Sequence, residues 1–317
     1  MKTINQFLIM STMMVLMLVS CKKDKSEVIG EISNTSDFIQ KRGPQKQIIS
    51  FNVNELPKTI KLRKGTEVTI PAGALKMNGN DVTGVVTMEA IEMLDRSDII
   101  RGGANTNHIS GAPLESDGFI FLDFLSDGKS VDQSLSKPVN IAIPAKRSGV
   151  TQLWQGVVDD DGQFGWAAPA DNNPRETKGQ VGDAFRFNFG QLGWINCDVF
   201  WNYTNPKTTM WVKVLNNPGT FANFRGFDGE TFVFFCGKGS NVAAQIYTSD
   251  GNGGVKSYDN MMPVGVEGRL LVFSIKNGHF WLAKKDITIT ENLSETITLT
   301  ESTEAAIQAE IDSLNNY

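Results

Sequence analysis

The chain carries few of the side chains that bind transition metals or act as general bases. Its 317 residues include only two histidines, His108 and His279. A histidine-rich metal centre or a Ser-His-Asp triad needs a histidine beside its partner side chains. The sequence also lacks the motifs of serine hydrolases, zinc peptidases and phosphate-binding loops. It therefore argues against most hydrolases and nucleotide-binding enzymes, and we expect no resident cofactor.

Three adjacent acids form a local group that could hold a hard cation. Asp159, Asp160 and Asp161 precede Gly162, and carboxylate oxygens are ligands that Ca²⁺ prefers. The alternating ligand spacing of a dedicated calcium loop is missing, and an Asp-Gly step is typical of a hairpin tip. A solvated hairpin is the preferred interpretation, with calcium binding as the alternative.

Glycoside hydrolases use a pair of carboxylates that can come from distant strands. Such a pair has no characteristic spacing in the sequence and cannot be recognised as a motif. The acids Glu89, Glu92, Asp123 and Asp198 lie in strand-like segments. We interpret them as charges on strand faces or edges. A hydrolase that uses two such carboxylates is a further hypothesis.

Two tryptophans suggest a surface that could bind a glycan. Successive side chains of a strand point to opposite faces, so Trp211 should lie on the face opposite its apolar neighbours. By the same rule, Trp281 should share a strand face with His279. A flat ring on an exposed sheet can stack on the apolar face of a sugar. The alternative is that these rings cover a sheet beneath a neighbouring domain. Glycan binding by Trp211, Trp281 and His279 is thus the second hypothesis.

Cys197 and Cys236 both lie in apolar, strand-like runs. A disulfide between them would persist in an oxidising compartment, but its formation depends on a separation that the sequence does not give. A bridge and two separate buried thiols both remain open.

The first residues resemble the signal peptide of a bacterial lipoprotein. Lys2 supplies a positive charge, residues 7–19 are almost wholly apolar, and Leu18-Val19-Ser20-Cys21 resembles a lipobox. The apolar run is shorter than the roughly 20 residues that a membrane-spanning helix needs. The resemblance implies removal of residues 1–20 and acylation of Cys21, whose acyl chains would anchor the protein to the membrane.

The residue after the lipobox cysteine is Lys22. The aspartate that retains many lipoproteins at the inner membrane is therefore absent from that position. We expect an outer-membrane-anchored lipoprotein of the cell envelope, displayed either in the periplasm or on the surface.

Beyond the leader, the pattern predicts an all-β protein. Residues 21–47 are polar, lack a sustained period and are expected to form a flexible stalk. Apolar residues then alternate in short runs, which is typical of half-buried strands in sandwiches or barrels. These runs are separated by dipeptides that favour tight turns: Asn78-Gly79, Asp117-Gly118, Asp127-Gly128, Asp161-Gly162, Asp228-Gly229, Asp250-Gly251 and Asn277-Gly278.

Two β-sandwich-like domains are expected, over residues 48–168 and 183–317, because polar and turn-forming residues crowd between them. A helix is predicted at the C-terminus. There Ile307, Ile311 and Leu314 fall on one helical face after Ser302 or Thr303 as the cap.

Two segments of the first domain have a recognisable sequence: residues 65–75, GTEVTIPAGAL, and residues 82–89, VTGVVTME. They resemble the ZU5 type of domain and a set of uncharacterised envelope lipoproteins. Residues 192–198, LGWINCD, are similar to the same lipoproteins. The resemblance implies a β-sandwich used for protein interaction. Some ZU5-type domains cut themselves at His-Phe-Ser, but His108-Ile109-Ser110 departs from that motif, which argues against self-cleavage here.

The formal net charge of −5 is spread along the chain without a basic patch, which argues against a nucleic-acid partner.

The preferred hypothesis is a non-enzymatic, lipid-anchored envelope protein that binds or scaffolds another envelope or extracellular protein. A glycan-binding lipoprotein is the alternative, followed by the carboxylate-dependent hydrolase.

Overall fold

The computed structural model describes residues 32–158, 164–169, 176–202, 204–223 and 229–317. Residues Glu31–Tyr317 form one compact unit. The predicted signal peptide, Cys21 and the acidic group Asp159 to Asp161 lie outside the described residues. None of the described helices is long and apolar enough to cross a membrane.

The described residues are mostly strands, which confirms the predicted all-β class. The strands, in chain order, are β1 (Gln47–Asn52), β2 (Lys58–Lys61), β3 (Glu67–Ile70), β4 (Lys76–Met77), β5 (Asn80–Asp81), β6 (Val85–Met93), β7 (Leu114–Ser126), β8 (Lys129–Ser130), β9 (Ser134–Pro144), β10 (Gly149–Val158), β11 (Phe164–Ala167), β12 (Glu176–Gly179), β13 (Ala184–Gln191), β14 (Gly193–Phe200), β15 (Lys207–Thr208), β16 (Trp211–Leu215), β17 (Thr231–Gly237), β18 (Ala243–Gln245), β19 (Thr248–Ser249), β20 (Val255–Lys256), β21 (Met262–Pro263), β22 (Glu267–Lys276), β23 (His279–Thr288), β24 (Ser294–Thr298) and β25 (Thr300–Ser302). The α-helices are α1 (Thr35–Arg42), α2 (Arg96–Arg101) and α3 (Glu304–Ser313).

Four sheets carry most of these strands. Sheet I has the order β13-β9-β3-β2, and sheet II has the order β1-β6-β7-β14-β10-β11, with β8 and β12 attached to β7 and β10. Sheet III has the order β18-β17-β22-β23-β25, and sheet IV has the order β19-β20-β16-β24. Neighbouring strands are antiparallel except β16 and β24, which are parallel.

Three hydrophobic cores hold the sheets together. Core 1 contains residues of sheets I and II, core 2 contains residues of sheets II and III with all three helices, and core 3 contains residues of sheets III and IV. Strand β17 serves two cores, because Phe232 and Phe234 belong to core 2 while Val233 and Phe235 belong to core 3. Burial on both faces explains its uninterrupted apolar sequence.

The predicted domain boundary is corrected by the strand pairing. Strand β13 pairs with β9, and β14 pairs with β7 and β10. The strands on both sides of residues 169–183 therefore belong to the same two sheets, and the sequence of the first sandwich extends to Phe200. Polar, turn-rich composition marks a connection but does not show whether that connection lies within a sandwich or between two. Core 2 also joins the two sandwiches into one unit.

The predicted flexible stalk is wrong for its described part. Helix α1 begins after Asn34, whose side chain accepts a hydrogen bond from Asp37 N at 2.8 Å. Ile32 and Phe38 are buried in core 2, and the Phe38 ring lies 5.9 Å from that of Phe273. Residues 32–47 thus belong to the folded unit. A helix of eight residues is too short to show a sustained apolar period.

The C-terminal helix is confirmed as α3. Thr303 is its N-cap, and the Thr303 side chain accepts a hydrogen bond from Ala306 N at 3.1 Å. Ile307, Ile311 and Leu314 are fully buried in core 2. The helix therefore docks on its own fold through the face that the sequence predicts.

Candidate functional site

A cleft of 360 Å³ opens where the two sandwiches meet. Its first wall comes from β7 and the turn between β9 and β10, and its second wall comes from the turn after β17 and the last residues of the described chain. Charged groups of both signs line it, together with neutral amides and a hydroxyl. The lining residues are Asp95, Arg96, Glu115, Ser116, Asp117, Lys146, Arg147, Gly239, Ser240, Asn241, Asn315, Asn316 and Tyr317.

A β-bulge in β7 places Asp117 at this cleft. Ser116 lies opposite Asp198 on β14, and Gly118 lies opposite Cys197, so Asp117 is an extra residue between two paired positions. Gly118 has φ of +140°, and a Cβ there would lie 2.6 Å from Leu94 Cδ2. The hairpin turn that the sequence predicts at Asp117-Gly118 is wrong, because the positive φ at Gly118 accommodates a bulge inside a long strand.

The Asp117 carboxylate is buried beside a guanidinium. Its side chain is 2% exposed, and Arg147 Nη2 donates to Asp117 Oδ2 at 2.5 Å. Burial raises the pKa of Asp117 to about 6, although Thr151 and Arg147 act in the opposite direction. The Arg147 guanidinium also lies over the Phe185 ring, 5.4 Å from its centroid. These contacts fix both groups in the first wall of the cleft.

A second acid lies on β14 beside the bulge. Asp198 is fully buried, and its Oδ2 accepts a hydrogen bond from Asn196 Nδ2 at 2.6 Å. Burial raises the pKa of Asp198 well above its ordinary value. The sequence interpretation of Asp198 as a strand-face or edge charge is corrected. Its position in the apolar run around Cys197 is the signal that could have indicated burial.

Two of the cleft's cations are already bound within the protein. Lys146 Nζ forms an ion pair with Asp95, and Arg96 donates to the Gly237 and Tyr317 backbone oxygens at 2.6 and 2.8 Å. Glu115 lines the same cleft and is half-buried. Among the described residues, no partner forms an ion pair or hydrogen bond with the Glu115 carboxylate. It is thus an acid of the cleft that has no counter-ion there.

The two walls are joined by hydrogen bonds. Ser116 N donates to Asn241 O at 3.0 Å, and Asn241 Nδ2 donates to Ser116 O at 2.8 Å. Nearby, Thr106 N donates to Ala243 O at 2.9 Å, and Ala243 N donates to Thr106 Oγ1 at 3.0 Å. Reciprocal bonds between the sandwiches hold the cleft at a fixed width.

The structure does not bring the two candidate tryptophans onto one face. Trp211 lies on β16 between Met210 and Val212, which are buried in core 3, so its ring faces away from that core. Trp281 packs against core 3, and its ring centroid lies 6.0 Å from that of the exposed His279. Both indoles are half-buried. A flat platform formed by both rings is therefore not assembled.

The disulfide alternative for the two described cysteines is wrong. Cys197 and Cys236 are both free and fully buried. Cys197 belongs to core 1 and Cys236 to core 2. The thiols lie in different layers, and burial raises the pKa of each.

His108 lies in a turn before β7. Its Nδ1 lies 2.8 Å from Ser110 Oγ and accepts a hydrogen bond from Ser110 N at 3.1 Å. The imidazole meets the rings of Trp154 and Phe200 edge to face, and burial lowers its pKa. Because Ser110 N–H and Oγ both point to the same nitrogen, the arrangement is that of a turn stabilised by its own side chains.

The other acids singled out in the sequence have structural partners. Glu92 is buried and accepts hydrogen bonds from Gln47 Nε2 and Lys64 N at 2.9 and 2.8 Å. Glu89 pairs with Lys46, and Asp123 accepts from Ser130 Oγ. Within the described ranges, no three histidine, cysteine or acidic side chains are grouped to hold a metal ion.

The cleft of Glu115, Asp117 and Arg147 is therefore the candidate site, and sequence reasoning missed it. Its residues come from distant positions, which only strand pairing and the contact between the sandwiches bring together. Comparison of the chain with protein-family models, curated proteins and solved structures finds no match.

Proposed function

We propose that the protein is a lipid-anchored protein of the bacterial cell envelope that binds a partner protein without catalysing a reaction. The observation that carries this proposal is the fixed, charged cleft between the two sandwiches. A partner segment inserted there would meet Glu115 on one wall and Ser240 and Asn241 on the other. Pre-organised walls reduce the entropy lost on binding.

The arrangement of aromatic and acidic groups favours a protein partner over a glycan or a hydrolysed substrate. Trp211 and Trp281 face different sides of their sheets, which removes the flat surface on which a sugar would stack. In the cleft, Arg147 binds the Asp117 carboxylate, whereas a general acid must be available to its leaving group. The resemblance of residues 65–75 and 82–89 to ZU5-type domains supports the same choice.

The lipobox-like sequence at Cys21 supports the proposed anchor. A Cys21→Ala variant of the full chain, expressed in a bacterium that acylates lipoproteins, should lose labelling by a clickable palmitate analogue and leave the membrane fraction. A Ser20→Ala variant retains a small residue before the cysteine and should remain labelled. Unchanged membrane partitioning of Cys21→Ala would overturn the anchor.

Blocking the cleft tests the proposed binding function. A soluble fragment of residues 31–317, which form one compact unit, is immobilised and exposed to envelope extract. Ser240→Trp should fill the cleft and abolish retention of the specific partner. Ser249→Trp, at an exposed position on β19, is the matched control and should leave retention unchanged. Retention that survives Ser240→Trp would reject the cleft as the binding site, and binding to a glycan array would replace the protein partner with a sugar.

A further inference from the structure

We propose that Asn252 is a site of spontaneous modification, at which the backbone nitrogen of Gly253 converts the side-chain amide to a succinimide and water then produces aspartate and isoaspartate. The chain contains three Asn-Gly pairs, at 78–79, 252–253 and 277–278. All three could react in the same way, because a glycine has no side chain to obstruct its backbone nitrogen. The hydrogen bonds and the space around each glycine distinguish the three pairs.

The reaction requires a backbone nitrogen that is free to lose its proton. Water or hydroxide removes the proton of Gly253 N–H, and the nitrogen attacks Asn252 Cγ. The new N–Cγ bond closes an imide ring, the Cγ–Nδ2 bond breaks, and ammonia leaves after taking up a proton from water. A second water molecule opens either carbonyl of the ring, which yields aspartate or isoaspartate. Because the attack is intramolecular, its rate depends on how readily the two atoms approach each other.

Two of the three pairs are held in tight hairpins. Asn78-Gly79 forms the turn between β4 and β5, and Asn277-Gly278 forms the turn between β22 and β23. Gly79 N donates to Asp132 Oδ2 at 2.8 Å, and Gly278 N donates to Ser33 O at 3.0 Å. Each N–H must leave its acceptor before it can be deprotonated, which costs free energy. Strand pairing on both sides of each turn also opposes the rotation that ring closure needs.

The third pair lies in a longer loop. Residues 250–254 connect β19 to β20, and Asn252 and Gly253 are exposed. The N–H groups of Asn252 and Gly254 both donate to Asp250 Oδ1, at 2.7 and 2.9 Å. Among the described residues, no acceptor binds the N–H of Gly253 between them. A Cβ at Gly253 would meet nothing within 4 Å. The attacking nitrogen of this pair is therefore unbound and has space for ring closure.

The modification changes the charge and the length of the loop between β19 and β20. Aspartate and isoaspartate each add a carboxylate, and isoaspartate also adds one methylene group to the main chain. None of the residues that line the cleft lies in this loop. The inference therefore does not depend on the proposed binding function, and each can fail without the other.

The test compares the three pairs within one protein. The native 31–317 fragment is incubated at pH 8 and digested, and mass spectrometry measures deamidation at Asn78, Asn252 and Asn277 over time. Asn252 should react about tenfold faster than the other two, because its attacking nitrogen has no hydrogen bond to break. In 6 M guanidinium the three rates should become similar, because the hairpins and their hydrogen bonds are lost. Equal rates in the native fragment, or a faster reaction at Asn78 or Asn277, would overturn the inference.

A pair of glycine variants tests the role of the attacking nitrogen. Gly253→Ala should slow the reaction at Asn252 about tenfold, because the methyl group hinders the approach of the nitrogen to Cγ. Gly251→Ala is the matched control and should leave the reaction fast. Both glycines have a positive φ, +84° and +75°, and nothing lies within 4 Å of either added Cβ. Circular dichroism shows whether each variant is folded. Equal slowing by both variants would overturn the assignment of Gly253 N as the nucleophile.

Discussion

The Arg147 guanidinium contacts the Asp117 carboxylate at 2.5 Å, and this pair joins the turn before β10 to the bulge of β7. The contact does not keep the acid at its ordinary pKa. Burial outweighs the favourable charge of Arg147 and raises the pKa of Asp117 to about 6. The folded protein therefore binds a proton at Asp117 over a pH range in which the unfolded chain has released it.

The contribution of Asp117 to the free energy of unfolding should fall as the pH rises from about 4 to about 6. Between the ordinary pKa of 3.8 and the folded value of about 6, the native state holds one more proton at Asp117 than the unfolded state. Stability is then lost with rising pH, by roughly 3 kcal/mol from this group. Urea denaturation at several pH values measures the slope, and Asp117→Asn should make it shallower.

Asp198 contributes a slope of the same sign, because burial also raises its pKa, and Asp117→Asn should retain that part. Asp127→Asn, at an exposed hairpin position, is the control and should follow the wild-type profile. If the difference in unfolding free energy between the wild type and Asp117→Asn did not change between pH 4 and pH 6, the assignment of a raised pKa to Asp117 would be contradicted.

Gly118→Ala should destabilise the protein by about 2 to 3 kcal/mol, because the alanine would combine an unfavourable φ with a clash. Its φ is +140°, and the added Cβ would lie 2.6 Å from Leu94 Cδ2. Gly128→Ala is the control: φ there is +74°, but nothing lies within 4 Å of the added Cβ. That variant should lose only about 1 kcal/mol. Equal losses in thermal denaturation would argue against a close-packed bulge.

Phe38→Ala should cost about 3 to 5 kcal/mol, because it removes a fully buried ring from core 2. Gln40→Ala on the exposed side of α1 should change the stability little. Chemical denaturation of the 31–317 fragment measures both. If Phe38→Ala leaves the midpoint unchanged, α1 is not part of the cooperative unit and the stalk prediction regains support.

The sequence predicts those helices and strands whose buried face can be recognised from the segment's own residues. Thr303, Ile307 and Ile311 show a cap and a helical apolar face, and β17 shows an uninterrupted apolar run. Helix α1 was missed because its stability depends on contact with Phe273, more than 200 residues away. The helix propensity of a short polar segment does not reveal such a distant contact.

The candidate site was less predictable than the fold. Glu115, Asp117 and Arg147 have no informative spacing, and the Asp-Gly step at 117–118 is equally suited to a hairpin and to a bulge. The distinction depends on β14, whose pairing with β7 continues on both sides of Gly118. Pairing between distant strands is a tertiary property, and so is the domain boundary that the composition of residues 169–183 misplaced.

The two described thiols should stay unpaired even in an oxidising compartment. Cys197 and Cys236 are fully buried in different cores, and burial raises the pKa of Cys236 to about 12. Because the thiolate is the reactive form, the native 31–317 fragment should not react with a disulfide reagent at pH 8. In 6 M guanidinium without reductant, about two thiols per chain should react, and Cys236→Ala should leave one. Failure to detect either thiol after denaturation would indicate a bridge and contradict the separation of the two cysteines into different layers.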